Sequence, residues 1–257
     1  MKLWAIFKKE LRIYFTTPLA YAILFVFLLV TGFFFYIYFS GFAMVSMQAA
    51  MNPQLGRDVN ITEWVMRPLF TSFISIILLL SLVPMITMRL FAEERRSGTI
   101  ELLLTYPVRD GGVLVAKFLA ALALYGGMLV LTLLYPAMLR YFTPLEWGPL
   151  LTMYLGLVLM GATFLSIGLF FSSVTENQIV ASLATFAMLL LLWSVGFAAD
   201  SVGGATGKIL QHLSVVDRFD SFSKGLLDTK DVIYFVNVTL LALFLTLRAL
   251  EARRWKG

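Results

Sequence analysis

Cysteine is absent from the 257 residues, and histidine occurs once, at His212. The first absence excludes disulfides, thiolate metal sites and cysteine nucleophiles, and it leaves the redox compartment open. The second excludes a histidine metal cluster, and no Ser, His and Asp constellation can be built on one histidine alone. Charge is scarce too: Asp, Glu, Lys and Arg make up 14% of the chain, against about 25% in soluble domains. A phosphate loop of the G-x-x-x-x-G-K-[ST] type is also missing. The nearest stretch, GGATGK at 203–208, lacks the spacing and runs into Ile209, so this chain is not expected to bind ATP by itself.

What is present is apolar. Hydrophobic residues reach 60% and mean hydropathy is +0.88, which reads as an all-α integral membrane protein. A spanning helix needs roughly 20 apolar residues to cross about 30 Å of hydrocarbon. Six stretches qualify, near Leu19–Gly41, Pro68–Met88, Val113–Leu139, Pro149–Ser172, Gln178–Ala199 and Val232–Leu247, so residues 1–257 read as one transmembrane domain. The last is short, with Tyr234 and Arg248 expected at the interfaces. The first is longer than the roughly 7–15 apolar residues of a signal peptide and lacks a small-residue cleavage site, so its retention is expected.

Six spans put both termini on one side. That side carries Lys2, Lys8, Lys9, Arg12, Arg89, Arg95, Arg96, Arg109, Lys117, Arg248, Arg253, Arg254 and Lys256; the other carries Arg57, Arg67, Arg140, Lys208, Arg218, Lys224 and Lys230. Thirteen against seven of the 20 basic residues places the termini in the cytoplasm by the positive-inside rule. The net charge of +5 is then a matter of sidedness, not of nucleic-acid binding.

Between spans two and three lies RLFAEERRSGTIELLLTYPVRDGG, residues 89–112. Arg89, Arg95, Arg96 and Arg109 face Glu93, Glu94, Glu101 and Asp110, four of each sign. At about 2.5–3.5 kcal/mol per charge near a bilayer centre, this segment must leave the membrane. Ser97, Gly98 and Thr99 are cap-type residues, Glu101 suits a first helical turn, and Pro107 disfavours helix at Tyr106. A short helix is expected over TIELLLTY, with Ile100, Leu103 and Leu104 on one face to pack on neighbouring stems or in a partner's groove. The alternative is a solvated connector. Adjacent Glu93 and Glu94 invite a metal reading, but neighbours on a helix do not face one another and no histidine is near, so charge repulsion offset by Arg95 and Arg96 is the ordinary account.

At the N-terminus, Leu3, Trp4, Phe7, Leu11, Tyr14 and Phe15 fall on one side of a helix, and Lys2, Lys8, Lys9 and Arg12 on another. Residues 1–18 therefore read as an amphipathic helix in the membrane surface, with Pro18 as the elbow into the first span. Trp4 and Phe7 would enter the acyl boundary while Lys8, Lys9 and Arg12 meet anionic headgroups.

Three stretches together resemble the ABC-2 type transporter permeases, particularly their gliding-motility-type branch of six-span members. They are MKLWAIFKKELRIYFTTPLAY, FAEERRSGTIELLLTYPV and DRFDSFSKGLLDTKDVIYFVNV, and the resemblance covers nearly the whole chain. It implies that the loop after span two carries a cytoplasmic coupling helix docking on a separate ATP-hydrolysing subunit. The contact would use Glu93, Glu94, Arg95, Arg96, Ser97, Gly98, Thr99, Glu101, Leu103 and Leu104. It further implies two ATPase copies, a second permease chain, identical or paralogous, exporter function, and residence in a bacterial or archaeal cytoplasmic (inner) membrane. No catalytic residue, cofactor, metal or nucleic-acid partner is expected on this chain.

Two further classes stay open beside an exporter. A membrane-embedded enzyme would need convergent polar groups at one depth, which the spans do not offer; a membrane anchor using the same ATPase for mechanical or envelope-remodelling work would need none. No acidic residue or histidine lies deep in a span, so a proton relay lacks its parts. Asn237 is expected to bond a neighbouring helix, Pro84, Gly126, Gly127 and Pro136 to bend spans two and three, and Gly161 and Gly168 to form a close-packing stripe. The segment Asp200–Asp231 reads as a short outer helix or re-entrant hairpin, with His212 on its surface. The aromatic-rich bundle suits lipids, hydrophobic drugs or polymer intermediates as cargo, or its rings simply face acyl chains.

Overall fold

The computed structural model describes residues 2–51, 60–99, 110–143, 145–202, 204, 211–212 and 214–254, and every regular element among them is helical. In chain order these are α1 (Lys2–Thr16), α2 (Pro18–Met51), a π-helical turn (Thr62–Met66), α3 (Arg67–Thr71), α4 (Phe73–Thr87) and α5 (Ala92–Arg96). After these come α6 (Asp110–Thr132), α7 (Leu134–Phe142), α8 (Trp147–Val174), α9 (Gln178–Val202), α10 (Val215–Ser223) and α11 (Thr229–Arg254). Six helical stretches are long and apolar enough to cross a membrane: Pro18–Met51, Phe73–Arg96, Asp110–Phe142, Trp147–Val174, Gln178–Ala198 and Thr229–Ala252. The chain is thus an all-α, multi-pass membrane protein. The helix expected over TIELLLTY, with Glu101, Leu103 and Leu104, lies outside the described residues.

Helix α8 is the spine, because small and hydroxyl residues let its neighbours approach closely. A Cβ at Gly161 would collide with the Tyr125 ring of α6, one at Gly168 with Thr87 of α4, and one at Gly156 with Phe222 of α10. Hydroxyls and phenols add specific ties. Tyr125 donates to Leu157 O at 3.0 Å, and Thr163 lies 3.0 Å from Thr239 while donating to Phe235 O at 3.2 Å. Thr132 pairs with the Tyr154 phenol at 3.0 Å.

Two spans depart from the continuous helices their hydropathy suggests. The second is broken at Ser72, whose ψ of 149° is extended and whose hydroxyl caps α4 by accepting from Ser75 N–H. The apolar run masks this because Ser72 interrupts periodicity without interrupting hydropathy. The third bends at Leu133, one helical turn before Pro136, which has no N–H to return to the Thr132 carbonyl. Helix α6 passes through Gly126 and Gly127 without a break. Asn237, expected to bond a neighbouring helix, is instead exposed on α11; the polar contact between these helices is made by Thr163 and Thr239.

At the end of the bundle away from α1, short helix α10 folds over the start of α8 and is pinned electrostatically. Arg67 reaches Asp220 at 2.8 Å and Ser223 at 3.2 Å, and Lys224 reaches the other Asp220 oxygen at 2.5 Å. Arg218 binds the buried Asp231 at 2.7 Å, joining α10 to the first turn of α11. Burial acts to raise the Asp220 pKa, but hydrogen bonds from Lys224 and Arg67 outweigh it and hold the carboxyl below the ordinary range.

Two predictions follow from these contacts. Gly168→Ala should lower the melting temperature of the purified protein, since overpacking costs about 1–3 kcal/mol. Gly127→Ala, whose added carbon meets nothing within 4 Å, should leave it unchanged or slightly raised. Equal melting temperatures would contradict the tight approach of α4 to α8. Because Asp220 is depressed on folding, its clasp contributes stability above the ordinary carboxylate range and loses it as pH falls through the lowered value. Going from about pH 6 to about pH 3 should therefore speed amide exchange across 215–223, corrected for intrinsic rates. Asp220→Asn should already exchange faster at the higher pH, and a variant that matches wild type there would refute the clasp.

Candidate functional site

The charged island after span two becomes helix α5, five residues reading AEERR. Acidic residues in its first turn and basic ones in its last complement the helix dipole, yet its N-cap residue Phe91 supplies no side-chain cap. The missing cap comes from α8. Ser172 Oγ accepts from Phe91 N–H at 3.0 Å and Ala92 N–H at 3.2 Å, and it donates to Met88 O at 3.0 Å. The other end is closed by Gly98, whose φ of +70° favours glycine. Ser97 N–H and Oγ both bond Glu93 O, at 3.0 and 2.9 Å, and Ser97 Oγ lies 2.8 Å from Thr99 Oγ1. Ser97 and Gly98 thus end α5, and Thr99 directly after them is helical again.

The island divides by face. Ala92 and Arg95 are buried, while Glu93, Arg96, Ser97, Gly98 and Thr99 are exposed. Glu93 pairs with Arg89 at 3.2 Å, and Arg89 also donates to Thr17 Oγ1 at 3.2 Å, tying α5 to the α1–α2 elbow. Glu94 turns the opposite way: its side chain is only 15% exposed and lies 2.9 Å from Lys117 Nζ. The two neighbouring carboxylates therefore serve different partners.

Lys117 is the feature that reasoning from sequence missed. It stands two turns inside α6 at 1% exposure, where an unpaired ammonium would be severely penalised. Its ammonium donates to Glu10 Oε1 at 3.1 Å and Leu90 O at 2.7 Å, and it forms an ion pair with Glu94 Oε1. The Phe91 ring lies 5.2 Å away. Lys9 stands 3.5 Å from both Glu10 and Glu94, so two ammonium groups face two carboxylates. A cavity of about 290 Å³ beside this cluster is lined by both lysines, both carboxylates, Tyr14, Arg89 and Ser97. The usable signal was an isolated lysine in an apolar helix, which demands a carboxylate from elsewhere in the chain.

Helix α1, expected to lie in the membrane surface, is joined to the rest of the chain. It packs along α6, with Glu10 and Tyr14 buried and Phe7 half-buried, while Trp4, Lys8 and Arg12 remain exposed. Trp4 stacks on Phe7 at 5.1 Å, and Tyr14 donates to Ile86 O at 2.8 Å. Burial, then the nearby Glu10 charge, push the Tyr14 phenol far up, keeping it a protonated donor. Lys9, expected at the headgroups, turns toward the carboxylates.

The arrangement is suited to mechanical connection. It ties an exposed, charged edge on α5 to three membrane-associated elements, and its own basic groups neutralise the buried carboxylates. No curated protein matches the chain significantly. A family model described as "ABC-2 family transporter protein" matches residues 4–248, taking in α1, α5, Lys117 and the six spanning stretches. The chain therefore belongs to the ABC-2 transporter family, as a membrane component of a transport system of the kind that works with an ABC ATPase subunit.

Proposed function

We propose that this chain is the permease half of an ABC exporter and that the exposed edge of α5, with the residues following it, receives the ATPase. The observation that supports this best is the two-sided construction of α5. Glu93, Arg96, Ser97 and Thr99 project outward from a short helix whose back is fastened by Ser172 and Glu94. Mixed charge on such an edge sets docking register and rejects wrong partners. Glu101, Leu103 and Leu104 extend the proposed contact, with the two leucines as its apolar part.

Two permease chains and two ATPases complete the machine in this proposal, and both termini face the cytoplasm. Closure of the ATPase dimer on ATP draws the two α5 edges together, and its different affinity for the two permease conformations shifts the bundles between inward-open and outward-facing or collapsed states. The exposed apolar helix faces meet lipid or the second chain. ATP-dependent movement of solute in vesicles containing the whole complex tests the exporter reading; hydrolysis coupled only to envelope remodelling would favour the anchor reading.

Inverting the edge alone, with Glu93→Lys and Arg96→Glu together, should weaken ATPase binding roughly tenfold, about 1.4 kcal/mol, mainly through slower association. Insertion should be unchanged and melting temperature should fall only slightly, because both side chains are exposed and the Glu93–Arg89 pair that is lost lies at the surface. Wild-type affinity, measured on the detergent-solubilised complex, would reduce the segment to a solvated connector. The proposed sidedness has its own test, made simple by the lack of native cysteine. Ser221→Cys should react with an impermeant maleimide in intact cells and Ser97→Cys should react only after lysis; the opposite pattern overturns the orientation.

A further inference from the structure

A five-residue helix has little stiffness of its own, so what α5 transmits depends on what holds its back. One hold is neutral and reaches α8 through Ser172. The other is ionic. Lys117 Nζ on α6 binds Glu94 on α5 at 2.9 Å, Glu10 on α1 at 3.1 Å and the Leu90 carbonyl, just before α5, at 2.7 Å. A cavity of about 290 Å³ lies beside this connection, between α1 and the α5 region, and leaves part of that space unpacked. Stability alone would not require charge here, since well-packed apolar side chains often replace a buried ionic cluster at no cost.

We infer that Lys117 is a positioning residue, a three-way ionic joint that makes α5, α1 and the first turns of α6 move as one body. A displacement of the α5 edge is then carried into α1 and, through the contact of Arg89 with Thr17 at 3.2 Å, to the elbow at the head of α2. Without the joint, the cavity gives α5 room to shift while α1 stays still. The source of the displacement rests on the docking proposed above; the joint itself does not.

Amide exchange read by mass spectrometry on the full chain in lipid nanodiscs separates the two. Glu94→Gln keeps the size of the side chain and leaves Lys117 paired with Glu10, so the chain should fold. Exchange across 89–97 should nevertheless rise about tenfold, with the exposed Arg96→Gln as a control that stays near wild type. A second variant, Lys117→Met with Glu10→Gln and Glu94→Gln, removes every charge of the joint at similar volume and should show the same rise. Wild-type exchange across 89–97 in both variants would overturn the joint, whether or not an ATPase docks there.

In the complex isolated with its own ATPase, replacing ADP by a non-hydrolysable ATP analogue should change protection in 3–16 and 89–97 together for wild type. In the Glu94→Gln complex it should change 89–97 alone. A merely structural lysine would alter melting temperature without dividing these responses, so a variant whose two segments still respond together refutes the positioning role. If neither segment responds in the wild-type complex, the docking proposal fails, and exchange in the chain alone still decides the joint.

Discussion

An ammonium group shut off from solvent must be surrounded by acceptors, and Lys117 imposes that condition on three segments at once. Helix α1 must lie along α6 so that Glu10 arrives, the chain leaving α4 must turn so that the Leu90 carbonyl points inward, and α5 must follow so that Glu94 closes the ring. Removing one partner of such a buried cluster costs about 3–5 kcal/mol, because the remaining charge is left stranded. The cost of error makes the arrangement specific. An apolar contact tolerates sliding by an ångström or two, whereas a buried ammonium held by two carboxylates and a carbonyl does not.

Within the bilayer the organising forces are different. Lipid is as apolar as leucine, so helices gain little by hiding leucine from it, and close packing with interhelical hydrogen bonds decides the neighbours. This explains why α8 occupies the centre. Its glycines accept Tyr125, Thr87 and Phe222 at their backbones, and its hydroxyls reach α6 and α11. The same helix ends in Ser172, whose hydroxyl caps α5. Ser172 therefore joins the spine to the charged edge.

The opposite end repeats the principle in a wetter setting. There α10 is held by Arg67, Lys224 and Asp220, with the Asp220 side chain 38% exposed, while Arg218 and Asp231 form the drier pair. Ion pairs in water are weak individually, which suits a cap that can loosen. Between the two ends, exposed large apolar side chains such as Phe25, Phe33, Leu183, Leu191 and Leu240 face outward, as expected where the surroundings are hydrocarbon or another helix bundle.

Hydropathy alone was enough to read an all-helical membrane chain with six spans, because burial in lipid is additive along about 20 residues and needs no knowledge of neighbours. The charged island after span two was equally plain, since eight charges amid apolar runs are visible by counting. Ser97 and Gly98 were visible as capping residues, but that they close α5 depended on Gly98 taking a positive φ. The break at Ser72 was hidden for a similar reason: hydropathy reports where a residue sits, not its ψ. Least legible was the grouping of Glu10, Glu94 and Lys117. From sequence Glu10 had no assigned role, Glu94 was grouped with Glu93, and Lys117 was only one of the thirteen basic residues counted on one side. Local periodicity describes a helix and its faces, whereas the partner of a charge 107 residues away is decided by which helices pack together, and here that packing is itself governed by the need to neutralise the charge.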